Sequence, residues 1–150
     1  MRPAQSRYIR KRRHDRGRQM QHCYQVQVSF GDCDPAGIVY YPNTFRWMDA
    51  CFHDALRPFG GHAAICQELQ ATGIGLVDSG AQFRTPLRDG DRLNIRLTVL
   101  DWARKTLTLG YEGHVAERLA FTGKEVRCLF QPTAKGLSAG NMSLLRDRLS

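Results

Sequence analysis

The stretch FGDCDPAGIVYYPNTFRWMDACFHDALRPFGG, residues 30–61, decides the fold. Its first half is a loop rich in Gly, Asp and Pro. From Phe45 onward, apolar residues recur at helical spacing and form a wide stripe. Pro42 suits the first turn of this helix, and Gly60-Gly61 suits its end. A helix with so wide an apolar stripe indicates a sheet packed around it, so we expect a long helix near residues 43–59.

The segments on either side of this stretch have the composition of strands. Residues 24–30, YQVQVSF, alternate apolar and polar side chains, as a half-buried strand does. A shorter helix is predicted over residues 62–71. Further strands are predicted over residues 75–83, 92–102, 106–113 and 116–130, which are rich in Val, Ile, Leu, Thr and Phe. One strand, a long helix and then consecutive strands predict an α+β fold with an antiparallel sheet.

The basic charge of the chain is concentrated at its N-terminus. The 150 residues carry a net charge of +8, and residues 1–20 alone supply seven of those charges. We therefore predict a disordered basic arm over residues 1–20, a single globular domain over residues 21–135, and a tail over residues 136–150 that is either helical or frayed. The globular part is almost neutral, so we expect contact with nucleic acid only through the arm, if at all.

The five cysteines are odd in number and none are spaced as Cys-x-x-Cys. This spacing argues against a disulfide framework and a zinc knuckle, and favours reduced thiols. No apolar run is long enough to span a membrane or to follow the basic arm as a signal sequence. These features predict a cytoplasmic protein that makes no membrane contact.

The loop before the long helix carries two carboxylates, Asp32 and Asp34, within a few residues of the helix start. Pro35 biases Asp34 toward an extended backbone, and Gly37 allows the chain to approach another group closely. The first N–H groups of a helix lack intrahelical partners and would polarise a carbonyl oxygen placed there. These groups are suited to acyl transfer. The same residue types also form ordinary turns and helix caps, and the spacing alone leaves both readings open.

The run FGDCDPAGIVYYPN followed by FRWMDA closely resembles the 4-hydroxybenzoyl-CoA thioesterases of the hot-dog superfamily. Weaker similarity extends through LDWARKTL, residues 100–107, toward Phe130, whereas residues 1–20 lie outside the resemblance. The resemblance implies a hot-dog fold, in which a curved antiparallel sheet wraps a long central helix. It also implies hydrolysis of an aryl-CoA without a metal or other cofactor, in a dimer or dimer of dimers with active sites between subunits.

The resemblance assigns roles to three residues of this region. Asp34 matches the family's catalytic aspartate, which acts either as a nucleophile or as a general base. The backbone N–H of Tyr41 matches the donor to the thioester carbonyl. Asp49 matches a residue near the ring hydroxyl of the acyl group, supplied by the partner subunit, although an exposed helix carboxylate is the alternative. Gly37 and Trp47 complete the expected substrate site, and Trp47 can instead be a packing residue.

The phosphates of coenzyme A are expected to bind basic residues. Arg104 and Lys105 match the family segment that holds them, although Ala103 stands where the family carries a further basic residue. Arg84 and Arg88 are additional candidates, with a solvated strand end as the alternative for both.

Two other functions compete with aryl-CoA hydrolysis. Short-chain acyl-CoA thioesterases of the same superfamily often place a His where this chain has Tyr41, and this difference favours the aryl branch. A thioesterase for short or branched aliphatic chains is still an alternative. The second alternative is a non-catalytic module that binds acyl-CoA, or that binds nucleic acid through the basic arm.

Overall fold

The computed structural model describes residues 19–150. The predicted arm over residues 1–20 lies outside them except for Gln19 and Met20. The strands and helices, in chain order, are β1 (Gln21–Gln27), α1 (Pro42–Ala55), α2 (His62–Glu68), β2 (Gly73–Phe83), β3 (Arg92–Trp102), β4 (Leu107–Val115), β5 (Arg118–Thr133), β6 (Gly136–Ala139) and α3 (Ser143–Arg148). None of the helices among these residues is both long and apolar enough to cross a membrane.

The strands form one antiparallel sheet in the order β1-β3-β4-β5-β2, with β6 paired to the end of β5. From Arg92 to Val99, strand β3 alternates and buries Leu93, Ile95, Leu97 and Val99 against the helix side. Register shifts in β2, β3 and β5 mark the bulges at which the sheet bends. The sheet curls around α1, and the predicted hot-dog fold is confirmed.

Helix α1 packs on the sheet through a broad apolar face. Thr44, Trp47, Met48, Cys51, Phe52 and Ala55 are buried there. A glycine in β5 allows this close approach, because a Cβ at Gly123 would lie 2.2 Å from the Met48 sulfur. The helix begins at Pro42, as predicted, and ends at Ala55 rather than near residue 59. A short 3-10 turn over residues 57–59 follows, and Gly60 then adopts a left-handed φ of 99°.

Two terminal segments differ from the sequence expectation. The first strand covers Gln21–Gln27 instead of residues 24–30, because the Val28 N–H already bonds to Asp91 O and a turn starts at Ser29. Phe30 is therefore exposed rather than part of a strand. At the other end, the tail is ordered: β6 extends the sheet, and Met142, Leu145 and Leu149 pack in the core. Residues 136–150 thus contain a strand, which the sequence did not predict, as well as the short helix α3.

Candidate active site

The loop between β1 and α1 is fixed against the segment that leads into β3. The Val39 N–H donates to Leu87 O at 2.8 Å, and the Val28 N–H donates to Asp91 O at 2.9 Å. A single β-bridge between Cys33 and Val39 closes the base of the loop. The loop is therefore held at both ends.

Asp34 lies at the start of a tight turn and is partly buried. Its N–H donates to Ile38 O at 2.9 Å, and its carboxylate Oδ1 accepts the Ala36 N–H at 2.8 Å. This local hydrogen bond is typical of Asp in turns. No donor within residues 19–150 reaches the second carboxylate oxygen, Oδ2. One oxygen thus orients the side chain, and the other is available for chemistry.

Asp32 has a structural role in the same loop. Its carboxylate accepts the Ser29 N–H at 2.9 Å and the Ser29 hydroxyl at 3.1 Å. Its backbone carbonyl accepts the Tyr40 N–H and the Asn43 side-chain amide, each at 2.9 Å. These bonds tie the loop to the first turn of α1.

Tyr41 is the residue immediately before α1. The neighbouring Tyr40 N–H and Asn43 N–H both have backbone acceptors, at Asp32 O and Tyr40 O. Within the described part of the chain, the Tyr41 N–H has no acceptor. It lies at the positive end of a 14-residue helix, where an N–H group stabilises developing negative charge on an oxygen.

An apolar cavity of about 390 Å³ opens beside this helix end. Its walls include Ile38, Phe83, Leu87 and Phe121, and Tyr41 and Arg84 also line it. The structure thus brings together two of the predicted site residues, Tyr41 and Arg84, at one cavity. Arg84 also donates to Gln82 Oε1 at 2.8 Å.

Two other predicted site residues have clear local roles. Gly37 has a φ of 76°, a value that disfavours side chains, and a Cβ there would meet nothing within 4 Å. The space that a side chain at Gly37 would fill is therefore open within residues 19–150, and the positive φ of the turn explains the glycine. Trp47 is buried in the core, which is the packing alternative. Arg88 is exposed, and its guanidinium donates to Gly37 O at 3.4 Å.

Arg104 and Lys105 lie far from Asp34 within one protomer. They occupy the turn between β3 and β4, whereas the loop of Asp34 contacts the opposite end of β3. The 11 residues of β3 separate the two ends by about 30 Å at 3.3 Å per residue. Arg104 instead lines a cleft of about 190 Å³ together with Arg146 of α3.

Asp49 is half-exposed and contacts an ionic cluster whose other members are buried. Its Oδ1 accepts a 2.7 Å hydrogen bond from Arg127 Nη2, and His53 Nε2 lies 3.4 Å from the same oxygen. Arg127 also pairs with Glu125 Oε2, and the Tyr111 hydroxyl donates to that oxygen at 2.7 Å. We call Asp49, Tyr111, Glu125 and Arg127 the Arg127 cluster.

Burial and neighbouring charge shift several pKa values near this cluster. Desolvation and the adjacent Glu125 raise the pKa of Tyr111, so its hydroxyl stays a donor. Desolvation lowers the pKa of Arg127, but Glu125, Asp49 and Tyr111 outweigh it, and the net pKa is raised. Desolvation, His53 and Arg127 lower the pKa of His62, whose neutral ring accepts the Ile74 N–H at Nε2 at 3.0 Å.

Sequence reasoning missed the Arg127 cluster and the walls of the cavity. Glu125 and Arg127 alternate within β5, so the period of a strand places them on one face. Charged residues at such positions ordinarily indicate the solvent face, and nothing in the sequence links them to Asp49. Phe83 and Phe121 lie 38 residues apart but are direct partners between β2 and β5.

Comparison with known proteins finds thioesterases and acyl-CoA hydrolases as relatives of this chain. The sequence model of the thioesterase-like superfamily matches residues 28–137. Over 84 residues the chain is 34% identical to the 4-hydroxybenzoyl-CoA thioesterase of Pseudomonas sp. (strain CBS-3), covering 55% of this chain and 60% of that protein. Over 113 residues it is 31% identical to the 1,4-dihydroxy-2-naphthoyl-CoA hydrolase of Thermosynechococcus vestitus, covering 73% of this chain and 76% of that protein.

Solved structures agree with the sequence comparison. The structure of the same Pseudomonas thioesterase superposes with a TM-score of 0.76 and 26% identity, covering 87% of this chain and 99% of that one. A gentisyl-coenzyme A thioesterase superposes with a TM-score of 0.68 and 28% identity, covering 85% of this chain and 98% of that one.

Proposed function

Because the chain belongs to the thioesterase-like superfamily, we propose that it hydrolyses an aromatic acyl-CoA to the free arylcarboxylate and coenzyme A. The observation that carries this proposal is the Tyr41 N–H, which has no acceptor within residues 19–150 and lies at the start of α1 beside an apolar cavity. A thioester carbonyl bound there would gain a hydrogen bond that strengthens as the oxygen becomes negative.

Asp34 supplies the second half of the chemistry. Its free Oδ2 either attacks the thioester carbon, forming a mixed anhydride that water then hydrolyses, or removes a proton from an attacking water. Both routes expel the CoA thiolate and yield the same products. The hydrogen bond from the Ala36 N–H holds the carboxylate in one orientation for either role.

The aromatic nature of the acyl group rests on two observations. The relatives described above are named for hydroxylated aromatic acyl-CoA substrates. The cavity at Tyr41 has aromatic and aliphatic walls, which favour an apolar acyl group. A short or branched aliphatic acyl group is the alternative for the same site.

We further propose that two subunits associate through β2. This 11-residue strand forms one edge of the sheet, and its Leu76, Val77 and Phe83 are about half exposed. Such an edge readily pairs with another strand. Antiparallel pairing with a second copy would reverse the partner's sheet. Arg104 and Lys105 of the second copy would then lie at the same end of the combined sheet as Asp34 of the first. There they would be suited to bind the phosphates of coenzyme A.

The test compares kcat/KM for 4-hydroxybenzoyl-CoA, benzoyl-CoA and butyryl-CoA. Released CoA is measured by chromatography, because the exposed free thiol of Cys23 would consume a thiol reagent. We expect both aryl esters to be hydrolysed with a higher kcat/KM than butyryl-CoA. A preference for butyryl-CoA would reject the aromatic assignment, and no hydrolysis of any ester would reject the activity.

A further inference from the structure

One hydroxyl group in the cavity at the start of α1 is not used by the fold. Thr44 lines that cavity and is 1% exposed. No hydrogen-bond partner for its hydroxyl lies within residues 19–150. Among the buried side chains of those residues, Glu125 Oε1 is the one polar atom that is both unpaired and completely enclosed. The Thr44 hydroxyl is therefore unpaired but open, and the cavity is the space into which it opens.

Helix formation does not explain this hydroxyl. Threonine near the start of a helix ordinarily binds a free backbone group with its side chain. Helix α1 has no side-chain cap, and the backbone N–H of Thr44 already donates to Tyr41 O at 3.1 Å. A hydroxyl without a partner costs free energy in an apolar wall, whereas a methyl group in its place does not. Packing and local structure thus give no reason for a hydroxyl at this position.

A second threonine of the same cavity shows the contrast. The Thr85 hydroxyl donates to Leu119 O at 2.9 Å, so it fastens the segment after β2 to β5. Most of the other cavity walls are apolar. In a pocket of this kind, a small number of polar groups set the orientation of the ligand. The Thr44 hydroxyl is free for that role, whereas the Thr85 hydroxyl is already engaged.

The Thr44 hydroxyl lies close to the Tyr41 N–H. Tyr41 has helical backbone angles, and Thr44 follows it by three residues. Three residues advance about 4.5 Å along a helix and return to the same face. The side chain of Thr44 also leans toward the helix start, as side chains in helices do. The cavity thus presents two hydrogen-bonding groups side by side, one from the backbone and one from a side chain.

A thioester carbonyl bound to the Tyr41 N–H would bring one particular part of an aryl group to Thr44. That part is ring position 2, next to the carbonyl carbon, because position 4 lies at the far end of the ring from the carbonyl oxygen. A hydroxyl at position 2 donates to the thioester oxygen of its own molecule, and its oxygen still accepts a further hydrogen bond. The Thr44 hydroxyl can donate that bond.

From this geometry we infer that Thr44 is a specificity-determining residue, whose hydroxyl donates a hydrogen bond to an oxygen at ring position 2 of the acyl group. The inference rests on the proposed aryl-CoA thioesterase function. It makes 2-hydroxyaryl-CoA esters the favoured substrates of this site. A ring without an oxygen at position 2 leaves the Thr44 hydroxyl unpaired and gains nothing from it.

The test is the ratio of kcat/KM for 2-hydroxybenzoyl-CoA to that for benzoyl-CoA. Thr44→Val replaces the hydroxyl with a methyl group of similar size, and it should lower this ratio about two- to tenfold, the worth of one neutral hydrogen bond. Thr44→Ser retains the hydroxyl and should keep most of the ratio. The corresponding ratio for 4-hydroxybenzoyl-CoA should be the same in Thr44→Val and the wild type. Because the hydroxyl has no protein partner, Thr44→Val should not lower the melting temperature.

Thr85→Val is the matched control, because it removes a hydroxyl from the same cavity that is bonded to the protein. We expect it to lower the melting temperature and to leave the 2-hydroxy ratio unchanged. A folded Thr44→Val variant that keeps the wild-type ratio, or that loses the 4-hydroxy ratio equally, would overturn the role of Thr44 while leaving the thioesterase function intact. A wild-type protein that hydrolyses none of these esters would refute the proposed function itself.

Discussion

Replacement of Asp34 by Asn tests the proposed chemistry with little disturbance of the loop. The Asn side-chain oxygen can still accept the Ala36 N–H that Asp34 Oδ1 accepts at 2.8 Å, so the free energy of unfolding should change by about 0.5 kcal/mol or less. The amide cannot act as a nucleophile or a base. A base alone contributes roughly 10²- to 10⁴-fold to the rate, or about 2.7 to 5.4 kcal/mol of activation free energy.

The assay measures kcat with 4-hydroxybenzoyl-CoA and the melting temperature by circular dichroism. Asp34→Ala should lose the same activity and also the turn hydrogen bond, at a cost of about 0.5 to 1.5 kcal/mol of stability. Asp32→Asn is the matched control, because it removes a charge two residues away in the same loop and should change kcat by less than tenfold. An Asp34→Asn variant with wild-type kcat would refute the assignment of Asp34.

Three further predictions follow from packing and from the pKa shifts. Gly123→Ala places a Cβ 2.2 Å from the Met48 sulfur and should destabilise the fold by about 1 to 3 kcal/mol in a denaturant titration. Gly31→Ala, whose Cβ would meet only the Ser29 hydroxyl at 3.9 Å, is the control and should be close to neutral. Folding lowers the pKa of His62 below its ordinary value of 6.5, so near and below that pH the unfolded chain binds more protons than the folded one. The free energy of unfolding should therefore fall as the pH drops through 6.5. His62→Gln should show a shallower fall. Burial raises the pKa of Cys51 to about 12, so a thiol reagent should modify the exposed Cys23 in the native protein and reach Cys51 only on unfolding; fast modification of Cys51 in the native protein would contradict this burial.

Local patterns in the sequence predicted most elements of the fold. Strand β3 has the predicted bounds: a two-residue alternation runs from Arg92 to Val99, and the strand continues past a bulge to Trp102. Helix α1 starts at Pro42 because proline is tolerated only in the first turn. The end of β1 was misplaced by three residues, since the Ser29–Asp32 turn interrupts an alternation that continues in the sequence to Phe30.

The candidate site was predictable only where its residues are close in sequence. Asp34, Gly37 and Tyr41 lie on one loop, and the structure shows how that loop orients them. The Asp49–Arg127 contact joins residues 78 positions apart and depends on the register of β5, which no local pattern reveals. The separation of Arg104 and Lys105 from Asp34 likewise follows from the direction of β3 in the sheet. The catalytic and binding roles of these residues are still predictions.

The buried pairing of Glu125 with Arg127 constrains how this protein can change during evolution. Losing Arg127 alone leaves the Glu125 charge uncompensated inside the core, at a cost of about 3 to 5 kcal/mol, while typical domains have only about 5 to 15 kcal/mol in total. Losing Glu125 alone leaves Arg127 still paired with Asp49. Exchanging both for well-packed apolar residues can be neutral. The order of replacement therefore matters: a descendant that loses Arg127 first passes through a strongly weakened intermediate, whereas one that loses Glu125 first keeps the pair between Arg127 and Asp49.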